Sequence, residues 1–126
     1  MNIRLLTLCD GAYNYNGKIT VVGTIDNIKV HSFPAVITVG LAVKICFPPS
    51  ENGIKRIRIL ILDSNDNLVI PTLEMPNQEA KANKNDLSTM AIVANLQGVK
   101  FNEEGNYRLE LHVNDYVETL PFKVRK

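Results

Sequence analysis

The segment Asp63–Asn67 carries side-chain oxygen atoms at alternate positions. Asp63, Asn65 and Asn67 stand at the i, i+2 and i+4 spacing of calcium loops, which bind the cation through carboxylate and carbonyl oxygens. The segment lacks the glycine and the distal glutamate of an EF-hand. It joins two apolar runs, where Asp and Asn favour a tight turn because they tolerate left-handed backbone and bond their own backbone. A turn is therefore the preferred interpretation, and calcium at Asp63, Asn65 and Asn67 is the weaker alternative.

Two tyrosines form the second candidate. Tyr13 and Tyr15 flank an asparagine in the polar segment Gly11–Gly17. A tyrosine offers a large contact area at a low cost in side-chain entropy, so the pair could anchor a partner. The alternative is that one or both rings fold back over the end of the domain. A binding role for Tyr13 and Tyr15 is a hypothesis that the sequence raises.

Histidine and cysteine are too few and too scattered to form a recognisable metal site. His31 and His112 do not stand at ligand spacing from each other or from Cys9 and Cys46. Each cysteine lies in or at the end of an apolar run, which predicts two buried thiols that pack as small hydrophobes. A disulfide between them is the alternative, although two cysteines do not make a framework.

The carboxylates and short motifs give no catalytic constellation either. Glu103 and Glu104 are adjacent, and adjacent side chains of a strand point to opposite faces, so they are not a ready acid–base pair. There is no GxSxG, no phosphate-binding glycine loop before a helix and no HExxH. We therefore expect a protein that is not an enzyme, with no catalytic residue and no cofactor.

Nearly every periodic segment has the two-residue period of a strand. In Val36–Phe47, for example, every odd position is apolar, which predicts one buried face. The expected strands are 3–10, 18–26, 36–47, 54–63, 87–96, 107–113 and 119–124. Asn114–Asp115 suits a tight hairpin, and Pro121 requires an edge strand or a bulge because it has no N–H. Seven or eight strands with turns at such spacing predict an all-β fold, a two-sheet antiparallel β-sandwich, as one domain over residues 1–126.

One segment lacks the two-residue period of the strands. Pro71–Asp86 is polar and long for a connection in a compact domain. Within it, Gln78–Lys84 could form one or two helical turns. The segment is interpreted as a solvated crossover between sheets, with a binding loop as the alternative.

The composition and net charge limit the kinds of partner that the protein is expected to bind. The 126 residues are 45% hydrophobic and carry a formal net charge of +1, so no global field attracts nucleic acid or an anionic membrane. The basic groups at Lys55–Arg58 and Lys123–Lys126 are interpreted as solvated faces. No run reaches the roughly 20 apolar residues of a membrane span, and the N-terminus does not read as a signal peptide. We expect a cytoplasmic protein whose partner is a protein, with a homodimer through an exposed edge strand as a further option.

Two resemblances add to this interpretation. Glu103, Gly105 and Tyr107 resemble the tyrosine corner of immunoglobulin-like sandwiches, in which the tyrosine hydroxyl bonds nearby backbone. Leu109 replaces the usual cysteine, so the inter-sheet disulfide of that superfamily is not implied. The resemblance implies an immunoglobulin-like architecture and no function.

The second resemblance covers most of the chain. Its motifs are LCDGA, NGKITVVGTID, FPAV, LDSNDN, EEGNYRLELHVND and LPFKV. This pattern resembles a family of small uncharacterised bacterial all-β proteins with an immunoglobulin-like or C2-like sandwich. The resemblance implies no activity and carries over no site residue. The sequence thus favours a non-enzymatic protein-interaction or structural module, with a small-ligand or carbohydrate-binding sandwich that uses loops at one end as the alternative.

Overall fold

A computed structural model describes residues 1–126 of the chain. The chain forms eleven strands and one three-residue 3-10 turn at Pro49–Glu51, which confirms the all-β class. The strands are β1 (Asn2–Tyr15), β2 (Lys18–Ile25), β3 (Asn27–Lys29), β4 (Ala35–Phe47), β5 (Gly53–Lys55), β6 (Ile57–Leu62), β7 (Leu73–Glu74), β8 (Gln78–Ala80), β9 (Ser88–Phe101), β10 (Gly105–Val113) and β11 (Tyr116–Arg125).

The chain folds into two compact units. The first comprises Met1–Thr24, Val39–Lys55 and Asn77–Leu96. The second comprises Ile25–Thr38, Arg56–Pro76 and Gln97–Lys126.

The first unit is built on a four-stranded sheet in the order β2-β1-β4-β9, accompanied by the two-stranded ladder β5-β8. β1 and β4 are antiparallel, with Asn2 opposite Cys46 at one end and Cys9 opposite Gly40 at the other. The alternation in β4 predicts its buried face, and the odd positions from Val39 to Phe47 are indeed all buried. The structure also buries much of the other face, since Ala42 and Cys46 are at most 3% exposed.

A bend in β1 explains this second buried face. Arg4 and Asn14 line the same depression, although ten residues of straight strand would separate them by about 33 Å. β1 therefore turns back on itself beyond Cys9, where its register with β4 ends. The β1–β2 hairpin then lies over the sheet, with Ile19 and Val21 packed against a small cluster of Cys9, Ala12 and Ala42.

The hairpin ends in a two-residue turn. Asn16 and Gly17 both have left-handed backbone, with φ of 52° and 82°, which is the conformation that an Asn-Gly pair supplies in tight hairpins. The Asn14 side-chain oxygen accepts the Gly17 N–H at 2.8 Å and closes the turn. The sequence therefore specifies the tip of this hairpin locally.

The bend itself is held by a side chain from β9. The Asn95 amide accepts the Ala12 N–H at 3.1 Å and donates to the Ala12 carbonyl at 2.9 Å. In the sheet order β4 lies between these two strands, at Gly40, where a built Cβ would stand 3.1 Å from the Asn95 side-chain oxygen. The absence of a side chain at Gly40 is what lets Asn95 reach across β4.

The second unit contains a five-stranded sheet in the order β3-β11-β10-β6-β7. The predicted inward residues Ile57, Ile59 and Ile61 are at most 1% exposed. An aromatic cluster lies at one end, where Phe101 meets Tyr107 edge-on at 5.0 Å between ring centroids and Tyr107 stacks on Phe122 at 5.8 Å. Burial of these apolar side chains is the main stabilising contribution within the unit.

Two of three local predictions in this unit are confirmed, those for the β10–β11 turn and the tyrosine corner. β10 and β11 are joined by the two residues Asn114 and Asp115, and Asn114 has a φ of 52°. Pro121 was expected on an edge strand or at a bulge, yet β11 lies between β3 and β10 and its register with β10 is continuous there. It is tolerated because β3 pairs with β11 only from Lys123 onward, so that side of the strand is unpaired at Pro121. The Tyr107 hydroxyl donates to the Glu103 carbonyl, as the tyrosine-corner pattern implies.

Other predictions differ from the structure. There are eleven strands in three sheets rather than seven or eight strands in two, because β3, β5, β7 and β8 are two- or three-residue pairings that carry no periodic signal. The helical turns expected in Gln78–Lys84 are wrong, since β8 pairs there with β5. β1 and β9 extend to Tyr15 and Phe101, beyond the polar residues that the pattern assigned to loops. The immunoglobulin-like sandwich arrangement stays a prediction.

Candidate ligand-binding depression

A depression of about 460 Å³ lies between the tip of the β1–β2 hairpin and the sheet of the first unit, and we call it the hairpin depression. It exists because the hairpin turns back over β4 and β9. Its lining residues are Arg4, Asn14, Asn16, Gly17, Lys18, Lys44, Cys46, Leu87, Thr89 and Ala91.

Three cationic side chains line the hairpin depression. Arg4 lies at the bulge of β1, Lys18 begins β2 just after the turn, and Lys44 stands on β4 opposite Leu5. The ion pairs of the structure involve other cations, such as Arg56 with Glu74, and none includes these three. The depression therefore gathers positive charge that no carboxylate within 4.0 Å neutralises.

Uncharged polar groups also line the hairpin depression. The Cys46 thiol and the Thr89 hydroxyl lie 3.4 Å apart, and both residues line the depression together with Asn14 and Asn16 of the hairpin tip. The acidic residue Asp86 precedes the lining residue Leu87 but does not itself line the depression. Its carboxylate accepts the Leu87 N–H at 2.8 Å. The site thus combines cations with hydroxyl, thiol and amide groups.

The structure does not bring the two candidate tyrosines into the hairpin depression. Tyr13 and Tyr15 lie on β1 rather than in a loop, and they are 50% and 66% exposed. Alternation along the strand places both on the face opposite Asn14, and Asn14 is the residue that lines the depression. The Tyr13 ring covers Gly11, whose built Cβ would stand 3.3 Å from the tyrosine hydroxyl. Their binding role stays a prediction.

At Asp63–Asn67 the structure shows a closed turn. The Asp63 carboxylate accepts the N–H groups of Asn65 and Asn67 at 2.9 Å each. These bonds, that to Asn67 first, lower the pKa of Asp63 because they favour its ionised form. Asp66 has left-handed backbone, with φ of 64°, and pairs with Arg108 at 2.7 Å. Only a single bridge, between Leu62 and Leu68, continues the expected hairpin.

Both cysteines are buried free thiols, as predicted. Cys9 stands opposite Gly40 and Cys46 six residues further along β4, a separation of about 20 Å, so no disulfide can join them. Burial raises the pKa of the Cys9 thiol and keeps it protonated.

The two histidines lie on different segments of the chain, one in a connection and one on a strand. His31 is exposed in the connection that precedes β4. His112 contacts Glu110 at 2.9 Å on the outward face of β10, where Glu110 also pairs with Arg108 at 2.7 Å. These hydrogen bonds, that from Arg108 first, lower the pKa of Glu110. The row of three side chains is an ion-paired network on the sheet surface.

Backbone pairing and hydrogen bonds hold the Pro71–Asp86 segment against the rest of the chain. β8 pairs with β5 in the first unit, and the Asn52 side chain bonds both backbone groups of Ala82, at 2.8 and 3.0 Å. In the second unit Leu73 and Glu74 pair with β6. Sequence reasoning recognised the length of this segment but could not see that an asparagine side chain would supply its backbone pairing.

The hairpin depression was missed by sequence reasoning. Arg4, Lys18 and Lys44 are separated by 14 and 26 residues and no motif connects them. The available signal was the Asn-Gly turn followed directly by Lys18, which predicts a hairpin tip with a cation. The bend that brings this tip to Lys44 depends on Asn95 and Gly40, which carry no recognisable pattern.

A family model of unknown function, DUF6941, matches residues 4–125, and the chain belongs to that family. No curated protein matches the chain. Among solved structures, the chain is similar to a β-glucosidase from Listeria innocua in complex with glucose, with 12% identity and a TM-score of 0.47 over 80% of this chain. The match spans 15% of the length of that enzyme, and a likeness this weak has no bearing on function. No helix has the length and apolarity that a bilayer crossing requires.

Proposed function

We propose that this chain is a non-enzymatic binding module that takes a small polar ligand in the hairpin depression. The observation that supports this proposal is the depression itself, whose volume of about 460 Å³ lies within the roughly 300–1,000 Å³ of small-molecule sites. Its lining offers amide groups at Asn14 and Asn16 and a hydroxyl at Thr89, which suit a hydroxyl-rich or charged molecule. The sequence raised the alternative of a small-ligand site formed by loops. The proposal develops that alternative, because the turn of the β1–β2 hairpin forms one wall of the depression.

A ligand screen by thermal unfolding tests this function. A compound that binds the folded chain and not the unfolded chain raises the unfolding midpoint as its concentration increases. We expect saturable shifts from polar compounds, sugars and sugar derivatives among them. If no polar compound in a broad library shifts the midpoint at millimolar concentration, the proposed function is wrong.

A matched pair of variants locates the binding site. Thr89→Phe places a ring inside the depression, whereas Thr119→Phe places the same ring at another exposed strand position, in the second unit. The first substitution should abolish the ligand-induced shift and the second should preserve it. If both variants lose the ligand-induced shift equally, or if neither loses it, the ligand binds elsewhere.

Protein interaction through Tyr13 and Tyr15 is the second candidate. The observation in its favour is that both rings are at least half exposed and stand on one face of β1, two residues apart. Exposed tyrosines of this kind serve as anchors in many protein interfaces. Replacing both with Ser should reduce recovery of a co-purifying protein from the native host, while Tyr116→Ser, at a tyrosine that is 47% exposed, should not. Unchanged recovery in the double variant would rule this candidate out.

We further propose a cytoplasmic location and self-association through β2. This strand ends the four-stranded sheet, and Val22 on it is 53% exposed, so its free backbone groups can pair with a second copy. Light scattering should then give a dimeric mass that Val22→Lys reduces to that of a monomer. A monomeric mass for the unaltered protein at high concentration would reject the dimer.

A further inference from the structure

We infer that the hairpin depression is an anion site for the phosphate group of a small phosphorylated molecule. This inference rests on the proposed function and specifies the ligand class. Arg4, Lys18 and Lys44 line one depression, and none of them forms an ion pair. None of the other lining residues is acidic, so the site carries three positive charges and no negative one.

The local charge is not a consequence of a basic chain. The protein has 14 Lys and Arg against 13 Asp and Glu, and its formal net charge is +1. Elsewhere cations and carboxylates pair, as Arg108 does with Asp66 and Glu110 at 2.7 Å. Three like charges around one concave surface repel one another, and a bound anion removes that repulsion while the concave shape strengthens its attraction.

The donor chemistry fits a phosphate group. A guanidinium such as that of Arg4 presents paired N–H donors to two oxygens of one oxyanion, and the ammonium groups of Lys18 and Lys44 act as point charges. Phosphate monoesters carry nearly two negative charges at neutral pH, which suits three cations better than a single carboxylate does. The neighbouring Thr89 hydroxyl is a further donor.

The volume indicates that the ligand carries an organic part as well. A depression of about 460 Å³ is larger than a bare phosphate ion fills. Asn14 and Asn16 present amide donors and acceptors that suit hydroxyl groups, while Leu87 and Ala91 add apolar lining. The structure therefore favours a small polar molecule that bears one phosphate group.

Calorimetric titration with three probes tests the assignment. Glucose 6-phosphate should bind, glucose should bind at least tenfold more weakly, and inorganic phosphate should bind more weakly than the ester. Affinity for the ester should fall as salt is raised, because ions screen charges at an open site. Equal affinity for glucose and its phosphate would overturn the inference, and tighter binding of inorganic phosphate would overturn the organic part of it.

Charge-neutral variants separate the cations from the fold. Arg4→Gln and Lys18→Gln change exposed side chains, and each should weaken ester binding by roughly ten- to a hundredfold, as expected for the loss of one charge-assisted hydrogen bond. Lys44→Met should do the same, with unfolding midpoints checked for all three. The matched controls Lys84→Gln and Lys123→Gln, outside the depression, should bind as the unaltered protein does. Equal affinities in all five variants would overturn the inference.

Failure of the inference is distinct from failure of the proposed function. Binding of neutral polar compounds that Thr89→Phe abolishes and Lys18→Gln leaves unchanged would keep the depression as a ligand site and reject its preference for anions. Absence of binding by every probe and every library compound would reject both.

Discussion

The Asn95 side chain forms two hydrogen bonds with the backbone of Ala12, 83 residues earlier in the chain. It accepts the N–H at 3.1 Å and donates to the carbonyl at 2.9 Å, so one amide takes the place of a pairing peptide group. A strand that bends loses ladder partners, and buried backbone groups without partners are costly. Asn95 supplies them at the point where β1 leaves β4.

Asn95→Asp tests this relationship. The introduced carboxylate can accept from the Ala12 N–H but cannot donate to the Ala12 carbonyl, so we expect destabilisation of about 1–3 kcal/mol at neutral pH. Protonation of the carboxylate restores a donor, and the loss should shrink as pH falls below about 4. Denaturant unfolding at several pH values measures both effects.

The control for that variant is Asn77→Asp, because Asn77 is exposed and its side chain forms no hydrogen bond in the structure. It should leave the free energy of unfolding within about 0.5 kcal/mol of the unaltered value. Similar losses in both variants would mean that the charge, and not the Ala12 bonds, is responsible.

Gly40→Ala should also loosen the bend. A Cβ at this position would stand 2.9 Å from the Cys9 sulfur and 3.1 Å from the Gly11 Cα, and the second of these is backbone that cannot rotate away. We expect a loss of about 1–3 kcal/mol in stability, as overpacking in a tight interior typically costs. Adding Cys9→Ala removes the sulfur contact, so the double variant should lose less than the sum of the two single variants. Strict additivity would argue against the contact.

The Tyr107 hydroxyl contributes one hydrogen bond at the tyrosine corner. Tyr107→Phe removes its bond to the Glu103 carbonyl and retains the packing against Phe101 and Phe122, so we expect a loss of about 0.5–1.5 kcal/mol. An unchanged free energy of unfolding would mean that the bond is replaced by solvent without cost.

The same hydroxyl gives a signature at high pH. Burial raises the pKa of Tyr107 above its ordinary value of 10.0, so the unfolded chain loses this proton more readily than the folded chain. Its contribution to stability is fully present below about pH 10 and is lost as pH rises through the higher folded pKa. Between pH 9 and pH 11 the free energy of unfolding should therefore fall less steeply with pH in Tyr107→Phe than in the unaltered protein. The difference in slope should correspond to the titration of about one proton.

Glu110 should contribute to acid sensitivity. Hydrogen bonds from Arg108 and His112 lower its pKa below the ordinary 4.5. A group with a lowered folded pKa stabilises the fold above its unfolded pKa, and that contribution is lost as pH falls through the folded value. Glu110→Gln should flatten the decline in unfolding midpoint below pH 4.5, whereas Glu104→Gln, an exposed residue without an ion pair, should follow the unaltered curve. Parallel curves for all three proteins would contradict this account.

Elements whose signals are local could be predicted from the amino-acid sequence alone. Period-two alternation located the main strands, and Asn114–Asp115 predicted its turn because Asn tolerates left-handed backbone. The bond between Tyr107 and Glu103 followed from residues four apart. Each of these depends on neighbours along the chain, so no knowledge of distant contacts was needed.

The candidate site, by contrast, arises from contacts between residues far apart in the chain. The short strands β5 and β8 form because each finds the other, and neither is long enough to show a period. Arg4, Lys18 and Lys44 meet only after β1 bends, and the bend depends on Asn95 reaching Ala12 past Gly40. Contacts between residues so far apart depend on register and close approach, which a single sequence does not encode in any local pattern.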